Sequence, residues 1–321
     1  MTTISLVIPC YNEEGNIFEM LKACQQTFSA CPAQIEYVFI NDGSKDKTFS
    51  ELQNLYQTYP NEQIKVINFS RNFGKEAAMY AGLQHATGEY TAIIDADLQQ
   101  DPKYVLEMFN FLETNPDYDM VACYQKERRE SALLKSFKRL FYVLMNAISE
   151  IEFIANASDF RMMRREVVDA ILQLKESHRF SKGIFSWVGF ETYYRPYEVK
   201  DRQHGQTSWS FRKLFSYALS GFVGFSTAPL KIATLLGASV SGVSFIYLFY
   251  TVWRWLVQGN DVPGFTTIVS LILFSSGLQM ILIGILGEYL AHTFLQVKER
   301  PIYIVRDYLH RDKTLSTNPK N

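Results

Sequence analysis

Two long uncharged stretches in the C-terminal third constrain the fold of this chain more than any other feature. Asp, Glu, Lys and Arg are absent from Ile232 to Trp253 and from Val262 to Gly287. Each stretch can cross a bilayer, which requires about 20 apolar residues in a helix. Buried core helices would normally carry a polar stripe, whereas these stretches contain few polar residues beyond Ser, Thr and one Gln. We therefore predict two transmembrane helices, at about 232–253 and 265–288.

The basic residues around these stretches predict the orientation of the chain in the membrane. Those on the outer flanks are Arg212, Lys213 and Lys231 before the first stretch and Lys298, Arg300 and Arg306 after the second. The short loop between the stretches has Arg254 balanced by Asp261. By the positive-inside rule, both termini are predicted to be cytoplasmic, in a multi-pass protein of the cytoplasmic (inner) membrane.

Two other segments mix basic and apolar residues, as amphipathic interfacial helices do. The segment 210–226 is predicted to be a juxtamembrane helix in the headgroup region. The segment 133–148 fits either a second interfacial helix or an ordinary amphipathic helix packed on a sheet. The predicted organisation is thus a soluble domain over 1–209, the helix 210–226, a membrane region over 227–292 and a cytoplasmic tail over 293–321.

Composition and cysteine usage narrow the functional classes. A formal net charge of −1 argues against broad attraction to nucleic acid, and no nucleic-acid-binding motif is recognisable. Four cysteines without a CxxC pair favour a reducing compartment over a disulfide framework. The N-terminus has neither the basic region nor the long apolar run of a signal peptide, and its first residues predict a strand. These features favour a cytoplasmic soluble domain that does not bind nucleic acid.

Short apolar runs alternate with helical segments from residue 4 to about 125. The predicted strands are Ile4–Ile8, Glu36–Ile40, Ile64–Phe69, Tyr90–Ile94 and Met120–Cys123. The predicted helices between them lie near 14–29, 46–59, 75–87 and 102–115. This alternation is typical of an α/β domain with a mostly parallel, Rossmann-like sheet that is covered by helices on both faces.

Polar motifs follow four of the predicted strands. They are Pro9–Glu13, Asn41–Ser44, Ser70–Lys75 and Asp95–Gln99. Because ligands of such sheets bind at the carboxyl ends of the strands, these motifs are expected to line one crevice. The chain lacks the Gly-rich dinucleotide fingerprint and the Walker phosphate loop, so phosphates bound in this crevice must be neutralised by other groups.

Asp95 and Asp97 are the residues of this crevice best suited to a metal. Two carboxylates one residue apart at a strand end can surround one hard cation, and Mg²⁺ or Mn²⁺ commonly shares such carboxylates with substrate phosphates and water. Gln100 and Asp101 are uncertain as ligands, since they can instead start the helix that follows. A single pair of this kind also opens phosphatase loops, but no matching loop with Lys and Asp is recognisable.

Five motifs, taken together and in order, resemble those of the family-2 glycosyltransferases of the dolichol-phosphate mannose synthase type. They are Val7–Glu13, Asn41–Ser44, Arg71–Lys75, Asp95–Gln99 and Asp159–Arg161. With the two predicted spans, the chain is similar to bacterial polyprenyl-phosphate (bactoprenol) glucosyltransferases. The resemblance implies a GT-A fold and inverting transfer of a hexose, with glucose the best candidate. The implied donor is a UDP-sugar, and the implied acceptor is polyprenyl (undecaprenyl) phosphate at the cytoplasmic face, for modification of cell-surface glycans.

The same resemblance implies a role for each motif. The residues implied to bind the nucleotide sugar are Pro9, Tyr11, Glu13, Asp42, Lys75, Asp95 and Asp97. The residues implied to bind Mg²⁺ or Mn²⁺ are Asp97, Gln99 and Asp95. Asp159 is implied to be the catalytic carboxylate beside the acceptor. The residues implied to bind the acceptor phosphate are Arg161, Arg202 and Ser208.

Structural roles are also open to several of these residues. Asp42 can serve a turn, and Glu13 can favour the N-terminus of the following helix through the helix dipole. Lys75 and Arg161 can equally be solvated surface charges. These structural roles stand beside the functional ones as alternatives.

Two other functions compete with lipid-phosphate glycosylation. A polysaccharide synthase shares the nucleotide-binding half, but this chain has two predicted spans and lacks the Gln-x-x-Arg-Trp motif. A non-catalytic membrane scaffold would not require Asp95, Asp97 and Asp159. Glycines in the predicted spans permit close helix contacts, either within one chain or in a homo-oligomer.

Overall fold

The computed structural model describes five parts of the chain: residues 2–125, 157–177, 179–198, 228–258 and 264–311. The predicted amphipathic helices 133–148 and 210–226 lie outside the described residues. The predicted phosphate-binding residues Arg202 and Ser208 lie outside them as well.

Eight strands form one mixed sheet in the described parts of the chain. They are β1 (Thr3–Cys10), β2 (Gln34–Asn41), β3 (Gln63–Phe69), β4 (Tyr90–Ile93), β5 (Met120–Gln125), β6 (Ala157–Arg164), β7 (Thr192–Tyr197) and β8 (Val305–Leu309). Their order across the sheet is β7-β5-β6-β4-β1-β2-β3-β8. The central strands β4, β1, β2 and β3 run parallel, while β6 lies antiparallel between β4 and β5. The predicted α/β fold with a mostly parallel sheet is confirmed.

The described helices alternate with these strands along the chain, and the last two are much longer than the others. They are α1 (Ile17–Phe28), α2 (Thr48–Thr58), α3 (Lys75–His85), α4 (Lys103–Thr114), α5 (Arg165–Gln173), α6 (Ser181–Trp187), α7 (Ala228–Gln258) and α8 (Phe265–Val297). The first five strands and first four helices lie within a few residues of their predicted positions. These elements are predictable from the sequence because the strands are buried on both faces of the sheet and therefore consist of continuous apolar runs.

The two faces of the sheet carry separate hydrophobic clusters. Ile4, Leu6 and Ile8 of β1 belong to the cluster that includes α1, α2 and α4. Val7 belongs to the opposite cluster, which includes α3, α5 and α6. Gly82 lets α3 lie close to the sheet, because a Cβ atom there would stand 2.2 Å from Val7 Cγ1. This close packing fixes the N-terminus of α3 at the carboxyl edge of the sheet.

The segment after the two long helices returns to the soluble domain. The segment 293–321 is predicted from sequence to be a cytoplasmic tail, but its residues 305–309 form β8, which pairs antiparallel with β3 at the sheet edge. Asn68 of β3 donates to Asp307 of β8 over 2.6 Å, and Tyr303 stacks on Phe69. The soluble domain therefore extends past residue 209 and contains a strand from the far side of the helical hairpin.

The two long helices have the length and composition of membrane spans. The apolar parts are Pro229–Arg254 in α7 and Ser270–Val297 in α8, and neither of their most hydrophobic windows is buried within the described structure. Both helices are longer than the predicted 232–253 and 265–288, because each continues past the uncharged residues. An exposed apolar surface of this extent is expected where a helix faces lipid.

Candidate active site

Lys75 joins the ends of two neighbouring strands. Its Nζ atom lies 2.7 Å from Asp95 Oδ1 and 3.1 Å from Asp159 Oδ2. The sheet register explains why the two carboxylates face each other. Ile93 of β4 pairs with Arg161 of the antiparallel β6, so the same register continued by two residues brings Asp95 opposite Asp159. Lys75 therefore pairs both with Asp95, which is predicted to bind the donor, and with Asp159, which is predicted to lie beside the acceptor.

The charges of this cluster stabilise one another. Desolvation alone would lower the pKa of the Lys75 ammonium group, but the two carboxylates outweigh it and raise that pKa above its usual value. Desolvation likewise opposes the charged form of Asp159, yet the surrounding positive charges hold the pKa of its carboxyl group below the usual range. These charges are Lys75, Lys182 and Arg161. Lys75 and Asp159 are therefore both ionised at neutral pH.

Gln100 holds Asp95 in place from the other side. Its Nε2 atom donates to Asp95 Oδ2 over 3.0 Å, and its Oε1 atom accepts from the backbone N–H of Asp95 over 2.9 Å. The side chain is buried, so these bonds are shielded from water. Gln100 is uncertain as a ligand from sequence, and here it orients the Asp95 carboxylate. Asp101 accepts from the backbone N–H of Lys103 over 3.0 Å at the start of α4, as a helix-start residue does.

The predicted metal ligands lie in the turn that follows β4. Asp97 is buried, and its Oδ1 atom accepts from the backbone N–H of Gln99 over 3.2 Å. Leu98 between them has a positive φ of 58°, which tightens the turn. Among the described residues no group of three or more His, Cys, Asp or Glu side chains is arranged to hold a metal. Two carboxylates one residue apart still fit Mg²⁺, which commonly takes one or two protein carboxylates and completes its shell with phosphate and water.

Asp42 is bound to the loop that presents Lys75. Its carboxylate accepts from the backbone N–H groups of Phe73 (2.7 Å) and Gly74 (3.0 Å) and from Asn72 Nδ2 (2.9 Å). Burial raises the pKa of Asp42 to about 6, although these backbone donors oppose the rise. Asp42 therefore makes the loop contacts of the structural role that the sequence left open, and nucleotide binding by Asp42 stays a prediction.

The loop after β1 is bound to the loop after β2. Pro9 lies at the end of β1, and Tyr11 just beyond it is 40% exposed. The backbone N–H of Glu13 donates to Thr48 Oγ1 over 2.8 Å, which ties the loop to the start of α2. The Glu13 carboxylate accepts from Asn16 Nδ2 over 2.7 Å beside the start of α1. An exposed aromatic ring at this strand end offers a face on which a nucleobase can stack.

Arg161 is buried between the sheet and α6, close to the site. Its side chain is only 3% exposed, and its guanidinium lies over the Phe185 ring at 3.5 Å from the centroid. Its NH2 group donates to the Ser158 carbonyl over 2.8 Å, and burial lowers its pKa to about 10. Phosphate binding by Arg161 stays a prediction, whereas the alternative of a solvated surface charge does not fit its burial in the middle of β6. Arg161 acts as a charge behind Asp159.

Helix α6 brings residues to the site that the sequence motifs did not indicate. Ser181 donates to the Glu76 carboxylate through its backbone N–H (3.0 Å) and through its hydroxyl group. Glu76 follows Lys75 in the chain, so this contact sets the next residue, Lys182, near the cluster, where its charge acts on Asp159. No local pattern marks Lys182 in the sequence, since only the packing of α6 against β6 places it there.

Comparisons with known proteins cover nearly the whole chain. Residues 5–172 match the model of glycosyl transferase family 2, and residues 228–293 match the GtrB C-terminal hairpin. An uncharacterized glycosyltransferase of Synechocystis sp. is 40% identical over 95% of this chain and 95% of its own. The bactoprenol glucosyl transferase of Shigella phage SfII is 40% identical over 94% of this chain and 97% of its own.

A solved structure with a similar fold is the glucosyl-3-phosphoglycerate synthase of Mycobacterium tuberculosis in complex with Mn²⁺, uridine diphosphate and glucosyl-3-phosphoglycerate. It is 16% identical, with a TM-score of 0.47, over 69% of this chain and 78% of its own.

Proposed function

This chain belongs to glycosyl transferase family 2, and we propose that it transfers glucose from UDP-glucose to a membrane-embedded polyprenyl phosphate. The observation that carries the proposal is the 40% identity to a bactoprenol glucosyl transferase over 94% of the chain. That similarity spans both the sheet with its carboxylate cluster and the helical hairpin. An enzyme with a lipid-bound acceptor requires both parts, because the donor is soluble in water and the acceptor is not.

The donor side of the site is formed by Asp95 and Asp97. Asp97 and Asp95, with the amide oxygen of Gln99, would hold Mg²⁺ or Mn²⁺, which when bound supplies charge neutralisation of the departing nucleoside diphosphate. Gln100 keeps the Asp95 carboxylate in a fixed orientation. The exposed ring of Tyr11 provides an apolar wall for the base at the neighbouring strand end.

The acceptor side is formed by Asp159 with Lys75 and Lys182. A phosphate oxygen of the acceptor attacks the anomeric carbon of glucose, the bond from that carbon to the diphosphate oxygen breaks, and its electron pair leaves with the diphosphate. The acceptor is largely ionised at neutral pH, since the second pKa of a phosphate ester is about 6. Asp159 therefore has no proton to remove and acts by holding the two lysines where the phosphate enters. A single displacement of this kind gives a β-linked product from an α-linked donor.

The return of the chain to the sheet supports a cytoplasmic location for both ends of the hairpin. β8 follows α8 and pairs with β3, so the sheet, which precedes α7 in the chain, and the segment after α8 lie on the same side of a membrane. The basic residues on the flanks of the hairpin favour the cytoplasmic side. We propose that the active site faces the cytoplasm, where nucleotide sugars are available.

The proposal is tested by transfer of radiolabelled sugar into organic-extractable lipid. The purified protein in vesicles is given undecaprenyl phosphate, a panel of UDP- and GDP-sugars, and Mg²⁺, Mn²⁺ or EDTA. We expect label in lipid from UDP-glucose in the presence of a metal and none with EDTA. Label from another donor would correct the sugar, and a long polymer in place of labelled lipid would favour a polysaccharide synthase.

Replacing Lys182 with alanine should raise the KM for polyprenyl phosphate about tenfold, since one charge-assisted hydrogen bond contributes about 1.5–3 kcal/mol and 1.4 kcal/mol corresponds to tenfold. The KM for UDP-glucose should change little, because Lys182 lies on the acceptor side. Steady-state kinetics with each substrate varied in turn measures both constants. Lys182→Arg should retain most of the affinity, and Lys22→Ala on the exposed face of α1 is the matched control. An unchanged acceptor KM in Lys182→Ala would remove Lys182 from the acceptor site.

A further inference from the structure

The side chain of Gln296, near the C-terminal end of α8, binds a loop of the soluble domain. Its Oε1 atom accepts from the backbone N–H of Ser177 over 2.9 Å. Its Nε2 atom donates to the backbone carbonyl of Lys175 over 3.1 Å. A carboxamide that binds both a donor and an acceptor of one loop fixes the orientation of that loop as well as its distance. We call this pair of bonds the Gln296 clamp.

The loop held by the Gln296 clamp leads directly into α6. Helix α6 contacts the catalytic cluster at two places. Ser181 at its start donates to Glu76, the residue after Lys75. Phe185 further along lies against the guanidinium of Arg161, two residues from Asp159. A displacement of this loop would therefore move the acceptor side of the site before it moved the donor side.

A second attachment holds the same end of α8 from the other side. The backbone of Glu299 turns with a positive φ of 47°, and the chain then runs into β8 on the edge of the sheet. β8 pairs with β3, and Tyr303 just before it stacks on Phe69, so the helix end is tied to this edge of the sheet. The Gln296 clamp ties it to a loop on a different part of the domain as well.

We propose that Gln296 is a positioning residue for the lipid acceptor, an inference that rests on the proposed function. The phosphate of a polyprenyl phosphate lies at a depth set by the bilayer, and α8 is fixed in the same bilayer. By clamping the loop that leads into α6 to the end of α8, Gln296 sets the height and tilt of Asp159 and Lys182 above the membrane surface. Precise placement of this kind matters, since an error of about 1 Å can cost about 10²-fold in rate.

The test compares a membrane-embedded acceptor with a soluble one. Full-length protein in vesicles is assayed with undecaprenyl phosphate and with citronellyl phosphate, a short prenyl phosphate that reaches the site from water. In Gln296→Ala, kcat/KM should fall about tenfold with undecaprenyl phosphate, equivalent to about 1.4 kcal/mol, and less than about twofold with citronellyl phosphate. Gln296→Glu keeps the oxygen that accepts from Ser177 and should recover part of the loss. Gln53→Ala, on the exposed face of α2, is the matched control.

Hydrogen exchange supplies a readout besides activity. The Ser177 amide should exchange faster in Gln296→Ala than in the wild type, while amides of β1 and β4 should be unchanged. Equal losses with both acceptors would mean that Gln296 merely stabilises the enzyme, and no loss with undecaprenyl phosphate would mean that the clamp is irrelevant. Either result overturns the inference. A wild type that labels neither acceptor would instead refute the proposed function, so the two failures are distinguishable.

Discussion

Replacing Asp97 with asparagine should lower kcat for sugar transfer by about 10³-fold, because metal stabilisation of the leaving diphosphate contributes several kcal/mol and each 1.36 kcal/mol is tenfold in rate. Asparagine keeps the size of the buried side chain and removes the charge that would hold the cation. The measurement is the initial rate of transfer over a range of Mg²⁺ and Mn²⁺ concentrations. The half-saturating metal concentration should rise along with the loss of rate.

The control for Asp97→Asn is Asp117→Asn. Asp117 is exposed just before β5, at the edge of the sheet opposite the site, so its loss of charge should leave transfer unchanged. Binding of Mn²⁺ with UDP, followed by electron paramagnetic resonance, separates a lost metal site from a lost fold. Full metal-dependent transfer by Asp97→Asn would show that Asp97 is not a ligand.

Replacing Asp159 with asparagine should lower kcat about 10²-fold, the cost typical of a misplaced reacting group. Asparagine leaves Lys75 with Asp95 as its partner and removes the charge that attracts Lys182. Because the acceptor phosphate is ionised above its second pKa of about 6, the ratio of wild-type to variant kcat should stay constant from about pH 7 to about pH 9. The pH profiles of both proteins with undecaprenyl phosphate measure this ratio.

Asp169→Asn is the matched control for the Asp159 variant. Asp169 forms an exposed ion pair with Arg165 on α5, and such surface pairs contribute little to stability. The decisive result is the shape of the two pH profiles. A ratio that shrinks steadily as the pH rises would indicate that Asp159 removes a proton, contrary to the orienting role proposed above.

The carboxylate cluster is only partly predictable from the sequence. Asp95, Asp97 and Asp159 were identified from motifs, and the structure brings Asp95 and Asp159 to one lysine. The sequence indicates Lys75 as well, but it does not decide between a binding residue and a solvated surface charge. The partners of Lys75 lie on other elements, so no local pattern shows them. The roles of Gln100 and Lys182 were not predicted. Both depend on how a turn and a helix pack against the sheet, which no local pattern encodes.

Arg161 and Asp42 show what a motif leaves out. Both belong to motifs of the family, and contact of either residue with the substrate stays a prediction. Arg161 lies in the middle of β6, where the neighbouring strands and Phe185 bury it. Asp42 binds the loop that precedes α3. A motif identifies such residues, but only the fold shows how far they are buried and which neighbours they bind.

The sequence by itself determined the parts of this protein that depend on local pattern. The alternation of strands and helices up to residue 125 follows from apolar runs and turn residues, and the two long apolar helices follow from the length of the uncharged stretches. Only the tertiary structure decided that β8 joins the sheet, since Asn68 and Asp307 meet across 239 residues of sequence. A short, partly exposed edge strand has too weak a pattern to name its partner. The edge of β3 selects it, because the exposed backbone donors and acceptors of that edge are satisfied by the chain that returns after α8.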